Sequence, residues 1–432
     1  MFESIFRKNH ANLIRLIEKK LINEEFILRH KTAESAFTRK RSFTFKSLTL
    51  FILSSIQSSL QRELNRFFRL YNSSMITDQF VSKSAFSQAR KRISHKAFIE
   101  LNSLPVNYFY ENYKYHKWKN HRLLAIDGSE VLLPSNEETI AKFGDYSHRR
   151  SERSIVLSRF SKCYDVLNRI AIDATLTTRK EGEEALAIQH MTKMLNNDLV
   201  LFDRGYPSLR LFRTFLDKGI NFCNRMAVGN WTVAKELVDS GDKEKIVTLE
   251  IPKHLKKVFY SEGLDTSAIK LRLINVRLKT GEDEVLITSL LDESLYPQSC
   301  FKKLYNLRWG VEESYKVDKY QIRLEDFSGY SVQSIMQEFH SMIMLSNLAA
   351  IFSYMPQRTV KKQKHYYKVS VTIAVAKMRD NLVSLFRNIE EINLIEKLVS
   401  SIRSNLIPIR DDRSCERKVY RRRRYYYQYK NM

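Results

Sequence analysis

Through its first 115 residues the chain repeats apolar positions at intervals of three and four, in Leu13, Ile14, Ile17 and Leu21 and again in Leu60, Leu64, Phe67 and Phe68. That spacing gathers apolar side chains on one helical face and predicts a helical region over 1–115. Residues 84–93 read as a short helix capped by Ser84, and Asn72-Ser73-Ser74 supplies a turn ahead of it. A helix-turn-helix element fits this stretch, and a plain basic helix on a bundle fits it equally. From residue 120 the period shortens. Leu123-Leu124-Ala125-Ile126 is a continuous apolar run ending on Asp127-Gly128, and 155–164 and 169–177 read as two further extended segments. Helical spacing returns over 181–195, with Ala185, Ile188, Met191 and Leu195 on one stripe. Leu199-Val200-Leu201-Phe202 is a second buried-strand run, ending on Asp203, followed by a helix over 208–218 and a strand over 221–227.

Three antiparallel strands followed by strand–helix units is the layout of a ribonuclease-H-like domain. The expected fold is therefore mixed α/β: a helical, basic domain over 1–115, a ribonuclease-H-like catalytic domain over 116–355, and a helical, basic C-terminal region over 356–432. Strand patterns at 246–249, 269–278 and 285–291, the last two separated by a turn at Thr280-Gly281, predict a strand-rich insertion over 228–300. Beyond Cys300 the helical period resumes and runs through the apolar stretch 339–352, which reads as a buried helix.

Charge narrows the function. Seventy-three Lys+Arg against 48 Asp+Glu leave +25 over 432 residues, an excess that suits a polyanionic partner. It is uneven: residues 1–120 hold 22 basic against 9 acidic residues, and Arg417, Lys418 and Arg421–Arg424 crowd the end. Arg90, Lys91 and Arg92 are consecutive cations on the predicted short helix and are candidates for DNA phosphates. The four cysteines stand apart with no CxxC, which argues against a disulfide framework or zinc site and for a reducing compartment. The N-terminus lacks the apolar core of a secretory signal. The apolar stretch at 341–355 is interrupted by Ser and Asn and falls short of the ~20 residues a membrane span needs. A soluble, intracellular protein without a membrane partner is expected.

Two buried strands ending on aspartates, with a glutamate on a later helix, is how a two-metal site is commonly assembled. Either aspartate alone reads better as a turn residue. The third element changes that balance. Tyr305, Arg308, Glu312 and Lys319 are spaced by three, four and seven, steps that keep all four on one stripe of a continuous helix. A salt-bridged, solvated helix face accounts for Glu312 with Arg308 and Lys316, but not for a stripe that opens with Tyr305 and follows the two aspartates. Glu313, about 100° round the helix from Glu312, leaves that stripe.

Residue by residue these four positions match Y-x2-R-x3-E-x6-K, and the chain resembles the DDE transposases of the insertion-sequence-four type. Ile126-Asp127-Gly128-Ser129 and Phe202-Asp203-Arg204-Gly205-Tyr206 resemble the family's two aspartate motifs, and the resemblance covers roughly 80–330. Gly310 and Val311 depart from the bulkier pair expected there. The resemblance implies a bacterial, cytoplasmic, nucleoid-associated enzyme for cut-and-paste DNA transposition. Asp127, Asp203 and Glu312 would be its catalytic residues, holding two Mg2+, with Mn2+ as a substitute. Tyr305, Arg308, Lys319 and Arg204 would contact DNA phosphates. Double-stranded DNA, as transposon ends and target, would be the partner of a homodimer in a synaptic complex, with a hairpin at the transposon end as a common intermediate. Trp309 reads as a core residue, and Trp231 suits the core or a base stack equally. A nuclease or junction resolvase on the same fold would carry the same carboxylates, and a DNA-binding regulator that had lost catalysis would have no need of them.

Overall fold

Alternation along the strands decides which side of the central sheet each residue faces. In a computed structural model of the protein, residues 2–39, 42–54, 56–72, 81–147, 154–278, 281–362, 365–387 and 392–409 are described. Ser73 and Ser74 of the expected turn, Thr280, and the basic tail with Arg417, Lys418 and Arg421–Arg424 lie outside them. The helical start is α1 (Phe2–Leu21), α2 (Glu24–His30), α3 (Phe45–Leu53), α4 (Leu60–Asn72), α5 (Lys83–Arg90) and α6 (Lys96–Asn112). Ser82, two residues before the expected cap, accepts from the Ala85 N–H and starts α5.

Strands β1 (Leu123–Leu133), β2 (Val156–Asp165), β3 (Ile170–Thr178), β4 (Leu199–Phe202) and β5 (Asn221–Arg225) form the first part of an eight-stranded sheet, in the order β3-β2-β1-β4-β5. The three strands β1 to β3 pair antiparallel, while β4 and β5 run parallel to β1. That order and those directions are the layout expected from the alternation of strands and helices. Helix α7 (Glu137–Phe143) follows β1, α8 (Glu183–His190) joins β3 to β4, and α9 (Leu209–Asp217) joins β4 to β5. The strand expected to stop at Asp127 continues to Leu133, because ten residues of β2 pair with it in unbroken register. Conversely, the helix expected over 181–195 ends its α-helical part at His190 and finishes in a 3-10 turn.

The insertion extends this same sheet. It adds α10 (Thr232–Ser240), β6 (Glu244–Leu249), α11 (Lys253–Ser261), β7 (Ile269–Arg277) and β8 (Asp283–Thr288), and the sheet continues β5-β8-β7-β6, all antiparallel. Its two helices were invisible as strand-rich pattern. After it come α12 (Phe301–Asn306), α13 (Trp309–Lys316), α14 (Val332–Ser353), a small sheet of β9 (Val360–Lys362), β10 (His365–Val369) and β11 (Leu406–Pro408), and α15 (Val371–Arg387) and α16 (Ile392–Arg403).

Each face of the sheet carries its own core. Leu123, Ala125, Leu199 and Leu201 pack into one with the N-terminal helices, α13, α14 and α15. Leu124, Ile126, Val200 and Phe202 pack into the other with residues of α8, α9 and α10. Helix α14 is buried along most of its length, as its apolar stretch predicts. Among the described residues no helix is long and apolar enough to cross a membrane.

Candidate active site

Strands β1 and β4 are neighbours, paired Leu123 with Leu199, Leu124 with Val200 and Ala125 with Leu201. Continued two residues, that register sets Asp127 beside Asp203, both on the side of the sheet where α13 packs. Four buried residues precede each aspartate; Asp203 follows the last residue of β4, and Asp127, inside β1, stands where its neighbour β4 has ended, so both lie at the lip left by the end of β4.

Helix α13 is clamped to this lip. The Tyr315 hydroxyl donates to the Asp127 carbonyl oxygen at 2.5 Å and lies 3.3 Å from the Phe160 carbonyl. The Tyr305 hydroxyl donates to the Phe202 carbonyl at 3.1 Å, just ahead of Asp203. Arg308, only 4% exposed, sits between two of the acids: Nη2 is 2.7 Å from Glu312 Oε1, and Nη1 is 3.9 Å from Asp127 Oδ2. Its Nη1 and Nε have no hydrogen-bond partner among the described residues. Burial, with the negative charges of Glu312 and Asp203, pushes the Asp127 carboxyl up to about 6 against the opposing pull of the Gly128 N–H and Arg308. Three carboxylates therefore share one electrostatic neighbourhood, and the position between two of them attracts positive charge.

Placement differs from expectation at several residues. The stripe from Tyr305 to Lys319 is broken: α12 ends at Asn306, a turn passes through Leu307 and Arg308, and α13 widens into a π-helical turn over Val317–Gln321. Such wide turns recur at functional sites. Lys319 thereby reaches β1, donating to the Glu130 carbonyl and pairing with Glu325 at 3.6 Å. Tyr305 and Arg308 are buried against the Phe202 carbonyl and against Asp127 and Glu312, and present no open phosphate surface. Trp309 is 44% exposed and not a core residue, with the Arg308 guanidinium 5.2 Å from its ring centre. Trp231 is the partly buried one, tilted against Phe212. Arg204 is exposed in the turn after Asp203.

Arg90 is corrected outright. It points inward, 2.9 Å from Glu338 Oε1, and donates to Gln337, Ser328 and the Ser334 carbonyl, so its fork is spent on tying α5 to α14. Lys91 stays exposed and Arg92 half-buried.

Gly310 has a packing reason. A Cβ there would stand 3.2 Å from Val166 Cβ and 3.3 Å from Cγ1, so the missing side chain lets α13 lie against the β2–β3 turn. Alanine in place of a helical glycine ordinarily stabilises by about 1 kcal/mol, and here that gain is offset by the close approach. Gly310→Leu is expected to lower the urea midpoint by an amount equivalent to about 1–3 kcal/mol, the cost of overpacking. Adding Val166→Ala should recover part of it.

Residues outside the sequence motifs also belong here. Lys162, opposite Asp127 on β2, is buried against Asp318 and lies 4.7 Å from the Tyr315 ring centre. Glu284 faces Arg225, Arg308 and Asp203, and burial raises its carboxyl. Tyr315, three residues after Glu312, was findable as an aromatic at helical spacing on the same face. The others come from strands far away in the sequence.

Hard carboxylates are the donors that Mg2+ or Mn2+ takes, and in chemistry the set Asp127, Asp203, Glu312 fits such ions. Among the described residues no three acidic, His or Cys side chains already converge as a metal-holding group. Glu312 is instead turned to Arg308, whose guanidinium supplies the positive charge between it and Asp127.

The chain matches the family model described as a transposase DDE domain over residues 118–348. It is 26% identical over 237 residues to the transposase InsG for insertion sequence element IS4 of Escherichia coli (strain K12), covering 55% of this chain and 53% of that protein. To the putative transposase InsZ of the same organism it is 24% identical over 188 residues, covering 41% and 58%. The chain thus spans little more than half the length of these curated relatives. Across 93% of this chain and 87% of the other, it also aligns with a chain of the cryo-EM structure of a piggyBac transposase synaptic complex with hairpin DNA. That alignment has a TM-score of 0.45 at 13% identity.

Proposed function

The chain belongs to the transposase DDE domain family, and on that premise we propose that it moves a DNA element by cutting at the element's ends and joining them to target DNA. The observation that carries this reading is the register of β1 and β4: continued two residues, it sets Asp127 beside Asp203, on the side where Arg308, in the turn before α13, and Glu312 of α13 lie. Asp127, Asp203 and Glu312 are the catalytic acids. Two Mg2+ held by them, or Mn2+ in their place, would supply Lewis-acid activation of the attacking and leaving oxygens.

The chain's own residues do the positioning. Tyr305 and Tyr315 hold the backbone on which each aspartate sits, so the carboxylates keep their separation without reorganising during the reaction. Arg308 screens the repulsion between Asp127 and Glu312 until DNA arrives. Lys319 and the exposed Arg204 then stand at the two sides of the lip, where a scissile phosphate and its neighbour would lie. The partner is double-stranded DNA, element end and target in turn, taken by a homodimer that holds two ends together in the cytoplasm.

Duplexes carrying the sequences that flank the coding region test this reading. The expected result is a cut at the element boundary that leaves a 3′-hydroxyl, in Mg2+ or Mn2+ and not in chelator. A chain that binds these duplexes and leaves them whole in both cations contradicts it.

Binding should rest on Lys91 and Arg92 and not on Arg90. Lys91→Glu with Arg92→Glu is expected to weaken end binding, with a salt dependence shallower by about 0.9 in log–log slope for each phosphate that is no longer neutralised. The measurement is a titration at several salt concentrations. Arg90→Ala should instead cost about 3–5 kcal/mol of stability, by breaking the buried ion pair with Glu338 that ties α5 to α14.

A further inference from the structure

Glu183 opens α8, on the face of the sheet opposite α13. One of its carboxylate oxygens is 3.5 Å from where a Cβ on Gly128 would stand, and the other is 3.0 Å from that point on Gly205. Gly128 follows Asp127 in β1, and Gly205 comes two residues after Asp203 in the turn beyond β4, so a single carboxylate lies against the backbone next to both aspartates. A Cβ at Gly205 would press on Oε2, which would have to give by a few tenths of an ångström, while one at Gly128 would make ordinary contact with Oε1. The Glu183 side chain is 39% exposed and reachable from solvent, with Arg159 Nη1 at 3.4 Å.

A second observation comes from Tyr206. It is 2% exposed, and its hydroxyl has no hydrogen-bond partner among the described residues. The charges that face it are Glu183, Asp127, Arg159 and Asp203, and burial with the three carboxylates raises its phenol well above the ordinary value. Buried hydroxyls are rarely left unpaired. An oxygen of a ligand lying among these carboxylates would satisfy this one.

We propose that Glu183 is a fourth carboxylate of the cation-binding lip, acting with Asp127 and Asp203 from the opposite face of the sheet. The proposal rests on the reading of Asp127 and Asp203 as cation ligands. A purely structural Glu183 would do no more than favour the N-terminus of α8 and hold Arg159.

Mn2+ binding to the full chain without DNA, read from the electron paramagnetic resonance of the free ion, separates these roles. Glu183→Gln is expected to weaken Mn2+ binding at least about tenfold, as is Asp203→Asn. Glu184→Gln, whose side chain pairs with Arg210 at 3.1 Å, should bind like the parent. Parent-like binding by Glu183→Gln, with loss in Asp203→Asn, overturns the proposal alone. No loss in either variant, or no binding by the parent, overturns the underlying cation reading as well. A measurement on the parent needs no variant to fold: Fe2+ with peroxide and ascorbate, which cuts backbone beside bound iron, should cut near Glu183 as well as near Gly128 and Gly205. Cuts at the two glycines without one at Glu183 also overturn the proposal.

Discussion

Asp127→Asn, Asp203→Asn and Glu312→Gln are each expected to slow strand cleavage by about a hundred- to a thousandfold or more, the scale of removing one preorganised group from a charged transition state. Each replacement takes away a ligand charge and little volume, so end-DNA binding should stay close to the parent's. Glu313→Gln is the control one position away. Glu313 is 67% exposed at its side chain and pairs with Lys316 at 2.5 Å on the solvent side of α13. Surface changes of that kind stay within about 0.5 kcal/mol, so its cleavage rate should match the parent's within about twofold. Single-turnover cleavage of a labelled end duplex measures all four. Equal loss in Glu312→Gln and Glu313→Gln would mean that α13 presents a different face to the aspartates.

The second large effect concerns stability close to the site. Lys162 and Asp318 are 2% and 3% exposed and form an ion pair beneath the π-helical turn, with the ammonium boxed by the rings of Phe160, Tyr164 and Tyr315. Burial lowers the Lys162 ammonium from its ordinary value, and Asp318 opposes that shift. Removing one partner strands the other in a water-poor interior, at a cost of about 3–5 kcal/mol. Asp318→Leu should therefore lower the urea midpoint strongly. Replacing both, as Lys162→Met with Asp318→Leu, should recover most of that stability, because well-packed apolar residues often substitute for a buried pair at no net cost. If the double variant is as unstable as the single one, the pair holds the turn by its hydrogen bonds and not merely by filling space. Cleavage by the double variant then reads how far Lys319, placed by that turn, depends on its geometry.

What the sequence made legible was whatever is written in local period. Leu199–Phe202 stands as four apolar residues between Asp198 and Asp203, and β4 has those bounds. The continuation of β1 was hidden because Gly128, Ser129 and Glu130 are partly exposed, and only their pairing with β2 keeps them in the strand. The helix break at Leu307–Arg308 and the π-helical turn after Lys316 do not disturb the spacing of the motif, so a continuous stripe was the natural reading. Arg90 looked like its neighbours Lys91 and Arg92 because its partner Glu338 is 248 residues away. Glu183 and Lys162 were missed for the same reason: their relation to Asp127 exists only across β-ladders and a helix start. Gly310, odd as a helix residue, is explained by Val166, which the chain brings to it from the β2–β3 turn.

In the proposed reaction one set of carboxylates both cuts an end and joins it to new DNA. A pre-cut end duplex with a labelled 3′-hydroxyl, mixed with an unlabelled circular target in Mg2+, tests it most directly. Label is expected to become covalently attached to the target through the 3′ end, with the parent chain and not with Asp127→Asn, Asp203→Asn or Glu312→Gln. Cleavage of end DNA by the parent with no label ever transferred to the target would contradict it.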